Sequence, residues 1–292
     1  MSSNDQADST QNMEDILAQA MSYQQAGRYA QAEQLYRQVL QLDPDNPVAL
    51  HLLGVLAHMA RQSEAGADLI RTALSIAPDY FPAHNNLGNV LRDLDKLGEA
   101  VEAYKSAIAI KPDYVDAHLN LGNVFAQQGE LDEAINQYRE AIDLHADDAR
   151  LHFGLAGALR LQGDTDGALG SLNEAVRLRP DFADAHNSLG LIRQRQGHLA
   201  EAEQCYRQAL AIKDNDADYL GNLANVLDLQ GKLEEALACY RKALELNPDS
   251  AEVAGSIGSI LLAMGNAEEG LSREKEGFGV VSFDMEKGVS VE

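Results

Sequence analysis

Four histidines, His84, His118, His152 and His186, stand 34 residues apart along the chain. Imidazoles at a fixed spacing invite the reading of a metal ladder, so the meaning of the period decides what they can do. Ligands of one ion must lie about 2 Å from it. If each period is a pair of helices, equivalent residues sit roughly 10 Å apart, too far to share an ion. Neighbouring periods place Leu50 and Leu220 at the same point, so these histidines are expected to pack and to hold no metal. Cys205 and Cys239 are also one period apart, beyond easy disulfide reach, and are expected to be inert thiols. No HExxH, GxSxG, P-loop or CxxC pattern occurs. Gly277-Phe278-Gly279 opens like a dinucleotide loop, but Ser282 stands where the third glycine belongs. Neither an enzyme nor a cofactor is expected.

The chemistry that does recur is neutral. Asn86 and Asn89, Asn120 and Asn123, and Asn222 and Asn225 are pairs three residues apart, a spacing that puts both members on one helix face. An asparagine amide carries a donor and an acceptor, the complement of a peptide bond. A ladder of such pairs grips an extended backbone with little regard to its side chains; alternatively, the same amides only cap and solvate helices. The ladder is broken by Gly154 and Gly157 and then by Ser188 and Leu191. Arg92 and Arg160, with Arg150 and Arg195, scatter positive charge nearby. These cations are either solvated or paired across a turn, or they meet acidic side chains of a ligand.

What positions these groups is a repeat. Eight consecutive segments of 34 residues start at Met13, Pro47, Phe81, Val115, Ala149, Ala183, Ala217 and Ala251, without insertion or deletion. A fixed period of this length predicts an α-solenoid. Numbering each segment from 1 to 34, position 8 is Ala or Gly throughout, as is position 20, so two helices cross closely there. Position 24 is Tyr36, Ile70, Tyr104, Tyr138, Leu172, Tyr206 and Tyr240 in the first seven segments, filling the space between helices. Position 15 is glycine in six segments, which ends a first helix at positive φ. Position 32 is Pro44, Pro78, Pro112, Pro180 and Pro248, which stops the second.

In the fourth segment His118, Leu121, Gly122, Phe125, Gly129, Ala134, Tyr138 and Ala141 carry a pattern that resembles the tetratricopeptide repeat family over nearly the whole chain. The recurring wording of Ala117-His118-Leu119-Asn120-Leu121-Gly122-Asn123 is most similar to the repeat region of O-linked N-acetylglucosaminyltransferases and their bacterial relatives. The resemblance implies an all-α, right-handed superhelix of antiparallel helix pairs, here seven full repeats and a degenerate eighth capping unit. It also implies a concave groove lined by positions 2, 5, 6, 9, 12 and 13 of the first helices. Asn86, Asn89, Asn120, Asn123, Asn222, Asn225, Arg92 and Arg160 then face that groove, where an asparagine ladder holds polypeptide. The carboxylate clamp of chaperone-binding relatives needs lysine at positions 2 and 5, and position 5 has none.

Composition sets the remaining limits. Net charge is −23 with no basic cluster, which argues against nucleic acid and anionic membrane as partners and for a protein or extended peptide segment. No apolar run approaches 18 residues and Met1 to Met13 is polar, so a cytoplasmic protein is expected. Residues 1–12 are expected as a disordered tail, 13–270 as the solenoid with its capping unit at 251–270, and 271–292 as a C-terminal tail. There Val281, Phe283 and Met285 alternate with polar residues before Glu286-Lys287-Gly288, so the tail reads as a β-hairpin or the start of a following domain. The function expected is a protein–protein interaction scaffold. The alternatives are the substrate-recruiting part of a larger enzyme such as a glycosyltransferase, and self-association through the solenoid ends or the tail.

Overall fold

The computed structural model describes residues 3–278, 281–284 and 288–291, with side chains over 12–273 and at 275. Its contacts divide the chain at Asp147/Asp148 into two compact units. The first holds α1 (Ser3–Gln25), α2 (Tyr29–Leu42), α3 (Pro47–Met59), α4 (Ser63–Ile76), α5 (Phe81–Asp93), α6 (Leu97–Ile110), α7 (Val115–Gln128) and α8 (Leu131–Leu144). The second holds α9 (Ala149–Gln162), α10 (Thr165–Leu178), α11 (Ala183–Arg195), α12 (Leu199–Ile212), α13 (Ala217–Leu229), α14 (Leu233–Leu246), α15 (Ala251–Ala263) and α16 (Ala267–Phe278). Two antiparallel strands follow, β1 (Val281–Asp284) and β2 (Gly288–Val291), with Val281 opposite Val291. Met285, Glu286 and Lys287 lie outside the described residues. In α1 the helix starts at Ser3, so residues 3–12 extend it where a disordered tail is expected. Those residues contain neither Gly nor Pro, and extending an existing helix needs no new nucleus.

The odd-numbered helices are the first helices of the repeats and the even-numbered ones the second. Each second helix packs on its own first helix and, within a unit, on the next one, so the core is a series of three-helix contacts. Position 15 is left-handed in all eight repeats. Six are the glycines, and the other two are Arg61 (φ 62°) and Asp95 (φ 59°). The backbone turn is therefore stronger than the residue preference for it. At the helix crossing, a Cβ on Gly122 would sit 2.7 Å from Cε1 of Tyr138, and one on Gly66 would sit 2.6 Å from the carbonyl oxygen of Gly54. The small residues at positions 8 and 20 thus admit a tyrosine ring in one repeat and bare backbone in another.

Candidate functional site

Position 4 is a fastener. Nε2 of His84, His118 and His186 donates to the carbonyl oxygens of Pro78, Pro112 and Pro180, at 2.8, 2.7 and 2.9 Å. The proline that stops a second helix therefore supplies the acceptor that ties it to the next first helix. Because a carbonyl only accepts, Nε2 carries the proton and Nδ1 is left as an acceptor. In His118 that acceptor takes Nε2–H of Gln137 at 2.6 Å. Among the described residues no three His, Cys, Asp or Glu groups converge as ligands of one metal ion would.

The asparagines are held by two kinds of bond. At position 9, the amide oxygen accepts the hydroxyl of the position-24 tyrosine: Tyr104 to Asn89 at 2.9 Å, Tyr138 to Asn123 at 2.7 Å, and Tyr240 to Asn225. At position 6, the amide N–H donates to position 5 of the preceding repeat. Asn120 reaches Oδ1 of Asn85 and Asn222 reaches Oδ1 of Asn187, both at 3.0 Å, while Asn86 reaches Nε2 of His51 at 2.8 Å. In the third repeat the bonds join into one directed chain. Tyr104 donates to Asn89, Asn89 to Asn86 at 3.4 Å, Asn86 to His51, and Nδ1–H of His51 points at the Tyr80 hydroxyl at 3.2 Å. Burial pushes His51 down from 6.5 to about 4, so the ring is neutral near pH 7 as this chain of donors requires. Burial likewise raises the hydroxyls of Tyr104 and Tyr138, which stay protonated donors.

These bonds fix what each amide still offers. Asn120 and Asn222 spend an N–H internally and keep the amide oxygen, whereas Asn123 and Asn225 spend the oxygen and keep the NH2 group. The fourth and seventh repeats thus each present an acceptor and a donor one helical turn apart, pre-oriented by their neighbours. Asn123 is exposed and the other five asparagines are half-buried.

The ladder's gaps have a packing cause that sequence reading misses. Each tyrosine at position 24 has an amide acceptor at position 9 or 12. Where position 9 is Met21 or Leu191, position 12 supplies it, and Tyr36 donates to Gln24 and Tyr206 to Gln194, both at 2.8 Å. The two repeats with Ile70 or Leu172 at position 24 carry no amide at either place, having Val55 and His58 or Gly157 and Arg160. The interruption at Gly157 accordingly follows the missing hydroxyl on Leu172. The signal was present as a covariation of residues 12 or 15 apart, visible once the two helices of a repeat are read together.

The arginines differ. Arg92 is half-buried and bonds its neighbour Asp93 through Nε at 3.2 Å and a terminal nitrogen at 3.1 Å, and Asp93 also pairs with His58 at 3.1 Å. Arg160 is exposed, and no carboxylate pairs with it among the described residues. Arg150 folds back on Asp148, whose carboxyl sits below the usual range through that guanidinium even though burial acts in the opposite direction. Reach tells which side faces inward in each unit. Short asparagines span successive first helices, while arginine–glutamate pairs span the second helices, Arg71 to Glu99 at 3.1 Å and Arg207 to Glu235 at 2.8 Å. The first helices therefore stand closer together, and α3 touches α5, α5 touches α7 and α11 touches α13. No helix of the described residues is long and apolar enough to cross a membrane.

A family model described as the cilia and flagella-associated protein 70 C-terminal domain matches residues 56–277, and one described as tetratricopeptide repeat matches residues 17–81. No curated protein matches the chain. A tetratricopeptide repeat protein from Parabacteroides merdae aligns with a TM-score of 0.65 at 15% identity, covering 86% of this chain and 99% of that one. The Pseudomonas aeruginosa PilF structure aligns at 0.61 with 22% identity, covering 66% of this chain and 88% of that one. Both show likeness of fold alone. A crystal structure of MamA aligns at 0.50 with 25% identity, covering 56% and 95%.

Proposed function

The chain belongs to the tetratricopeptide repeat family, within reach of the cilia and flagella-associated protein 70 C-terminal-domain model, and from that premise we propose that this interaction scaffold holds an extended polypeptide against its first helices. The observation that carries the reading is the pair of open groups on α7 and α13. Asn120 offers an oxygen and Asn123 an NH2 group, and Asn222 and Asn225 repeat the arrangement. A residue of an extended strand turns its own C=O and N–H to one side, so one such pair satisfies both. Orientation by internal bonds lowers the entropy lost when a ligand is held. In the first unit Asn86 and Asn89 add a second pair on α5, with Arg92 on the same helix; in the second unit Arg160 keeps its guanidinium open to an acidic side chain.

Position 6 is the place to test this, because no buried tyrosine depends on it. Peptides selected from a displayed random library on the wild-type chain are titrated against Asn120→Ala/Asn222→Ala. A peptide held on either pair loses one hydrogen bond of about 1 kcal/mol, so affinity should fall about fivefold, and it should fall alike for peptides of unrelated sequence. Unchanged affinity would remove the amide face from the function.

A further inference from the structure

We propose that the first two repeats bind a free apolar α-amino acid, in a pocket between α2, α3 and α4. The pocket has a volume of about 400 Å³, within the roughly 300–1,000 Å³ of small-molecule sites. Leu53, Leu56 and Leu69 line it, and its charged groups are Glu33 and Arg37 of α2. Tyr29 and Met59 line it as well and are 45% and 49% exposed, so apolar surface there is left to water. It shares no residue with the amide face.

Elsewhere two ion pairs tie successive repeats together at this place. Arg207 of the sixth repeat reaches Glu235 at 2.8 Å, Lys232 returns to Glu203 at 2.7 Å, and Arg207 and Glu203 bond each other at 2.9 Å. Arg71 and Glu99 at 3.1 Å, with Lys96 and Glu64 at 2.9 Å, tie the second repeat to the third. Arg37 and Glu33 hold the positions of Arg207 and Glu203 and bond each other at 2.6 Å. The next repeat, however, has Ala65 in the place of Glu235 and Gln62 in the place of Lys232. The couple on α2 is thus short of one carboxylate and one ammonium, the two groups that a free α-amino acid carries on a single carbon. Ala65 and Gln62 both line the pocket, so the unmatched charges and the apolar space coincide.

A bound amino acid sets its carboxylate on the Arg37 guanidinium, its ammonium on the Glu33 carboxylate and its side chain against the three leucines. Both end contacts are charge-assisted, the stronger kind of hydrogen bond. The Arg37 and Glu33 side chains are 64% and 40% exposed, so a solute reaches them without any rearrangement. In the sixth repeat, where the protein supplies both groups itself, the hollow beside Arg207 is lined by α12 alone and by no large apolar side chain.

The test titrates the full chain with L-leucine and L-phenylalanine by calorimetry, and one site per chain should saturate. The amide of the same amino acid lacks the carboxylate and its N-acetyl form lacks the ammonium. Each should bind at least about tenfold more weakly, the loss expected of a charged hydrogen bond. Gln62→Lys/Ala65→Glu restores the residues of the seventh repeat and should abolish binding with the far-UV circular dichroism unchanged. Arg37→Gln alters only an exposed side chain; it should weaken the free amino acid at least about tenfold and leave its amide, already without a carboxylate, where it was. No saturation by either amino acid, or binding that survives the double substitution, overturns the proposal. So does an amide or an N-acetyl form that binds as tightly as the free acid, since the occupant would then be the end of a peptide chain.

Discussion

The bond from Tyr138 to Asn123 joins the packing of the fourth repeat to its amide face, and it yields a prediction with an internal rescue. Tyr138 is 1% exposed, and its hydroxyl donates to Asn123 at 2.7 Å. Tyr138→Phe removes one neutral hydrogen bond, and the exposed Asn123 recovers water, so the cost should be about 1 kcal/mol. Asn123→Ala strands the hydroxyl of a buried tyrosine, a cost of about 1–3 kcal/mol, offset by about 0.5 kcal/mol because alanine suits a helix better than asparagine. The double variant strands nothing. The two losses should therefore fail to add, with a coupling of about 1 kcal/mol. Position 12 of this repeat is Ala126, whereas the first and sixth repeats meet their tyrosines from Gln24 and Gln194 at that position. Ala126→Gln in the Asn123→Ala background should recover most of the loss.

A solenoid does not unfold as one unit, since its stability is roughly a sum of repeat and neighbour terms. The assay is therefore native-state hydrogen exchange, read over α7 and α8 and their neighbours against distant helices. Protection should fall around α7 and α8 in Asn123→Ala and return with Ala126→Gln. Additive single losses, or no recovery from the glutamine, would refute the view that position 24 dictates an amide at 9 or 12. The asparagines at position 9 would then have to be explained by ligand alone.

Two further outcomes follow from single residues. For His51, burial sets the folded pKa at about 4, below its ordinary 6.5, so the unfolded chain binds the proton more readily. Stability from this group is complete above pH 6.5, is lost as pH falls from 6.5 to about 4, and is constant below; a span of roughly 2.5 pH units at 1.36 kcal/mol each makes about 3 kcal/mol. Exchange at pH 5 against pH 7 should loosen α3 and α5 in the wild type and not in His51→Leu; acid stabilisation would reverse the sign and refute the neutral ring. For Arg61, at φ 62°, substitution by glycine removes roughly 1–2 kcal/mol of left-handed strain, less the greater freedom of unfolded glycine. A net gain of about 0.5–1 kcal/mol in urea unfolding is expected, and a loss would mean that the arginine side chain itself holds the turn.

The two asparagine positions differ in how far they were legible, and the difference is physical. A 34-residue period exposes whatever recurs at one position, because one packing environment selects one kind of residue: glycine or alanine at the crossing, tyrosine between the helices, a turn residue at position 15. Arg61 and Asp95 mark the limit of that reading, for they take the left-handed conformation without glycine, and only the backbone reveals it. Bonds between different positions are hidden from such a register. The link from position 24 to position 9 spans 15 residues and joins two helices of one repeat, and the link from position 5 to position 6 spans 35 and joins two repeats. Each is legible only as a covariation among a handful of copies. Ser188 follows Phe153 and Leu52 follows Leu17, whereas Asn120 follows Asn85 and Asn222 follows Asn187, so a polar residue at position 6 bonds backward only where the preceding repeat offers an acceptor. Packing therefore accounts for which face of each amide is used, and the unused face is what remains for a ligand. That residue of chemistry, an oxygen on Asn120 and an NH2 group on Asn123, is smaller than the six-asparagine ladder read from sequence, and it is more directional, because the internal bonds have already chosen which way each amide points.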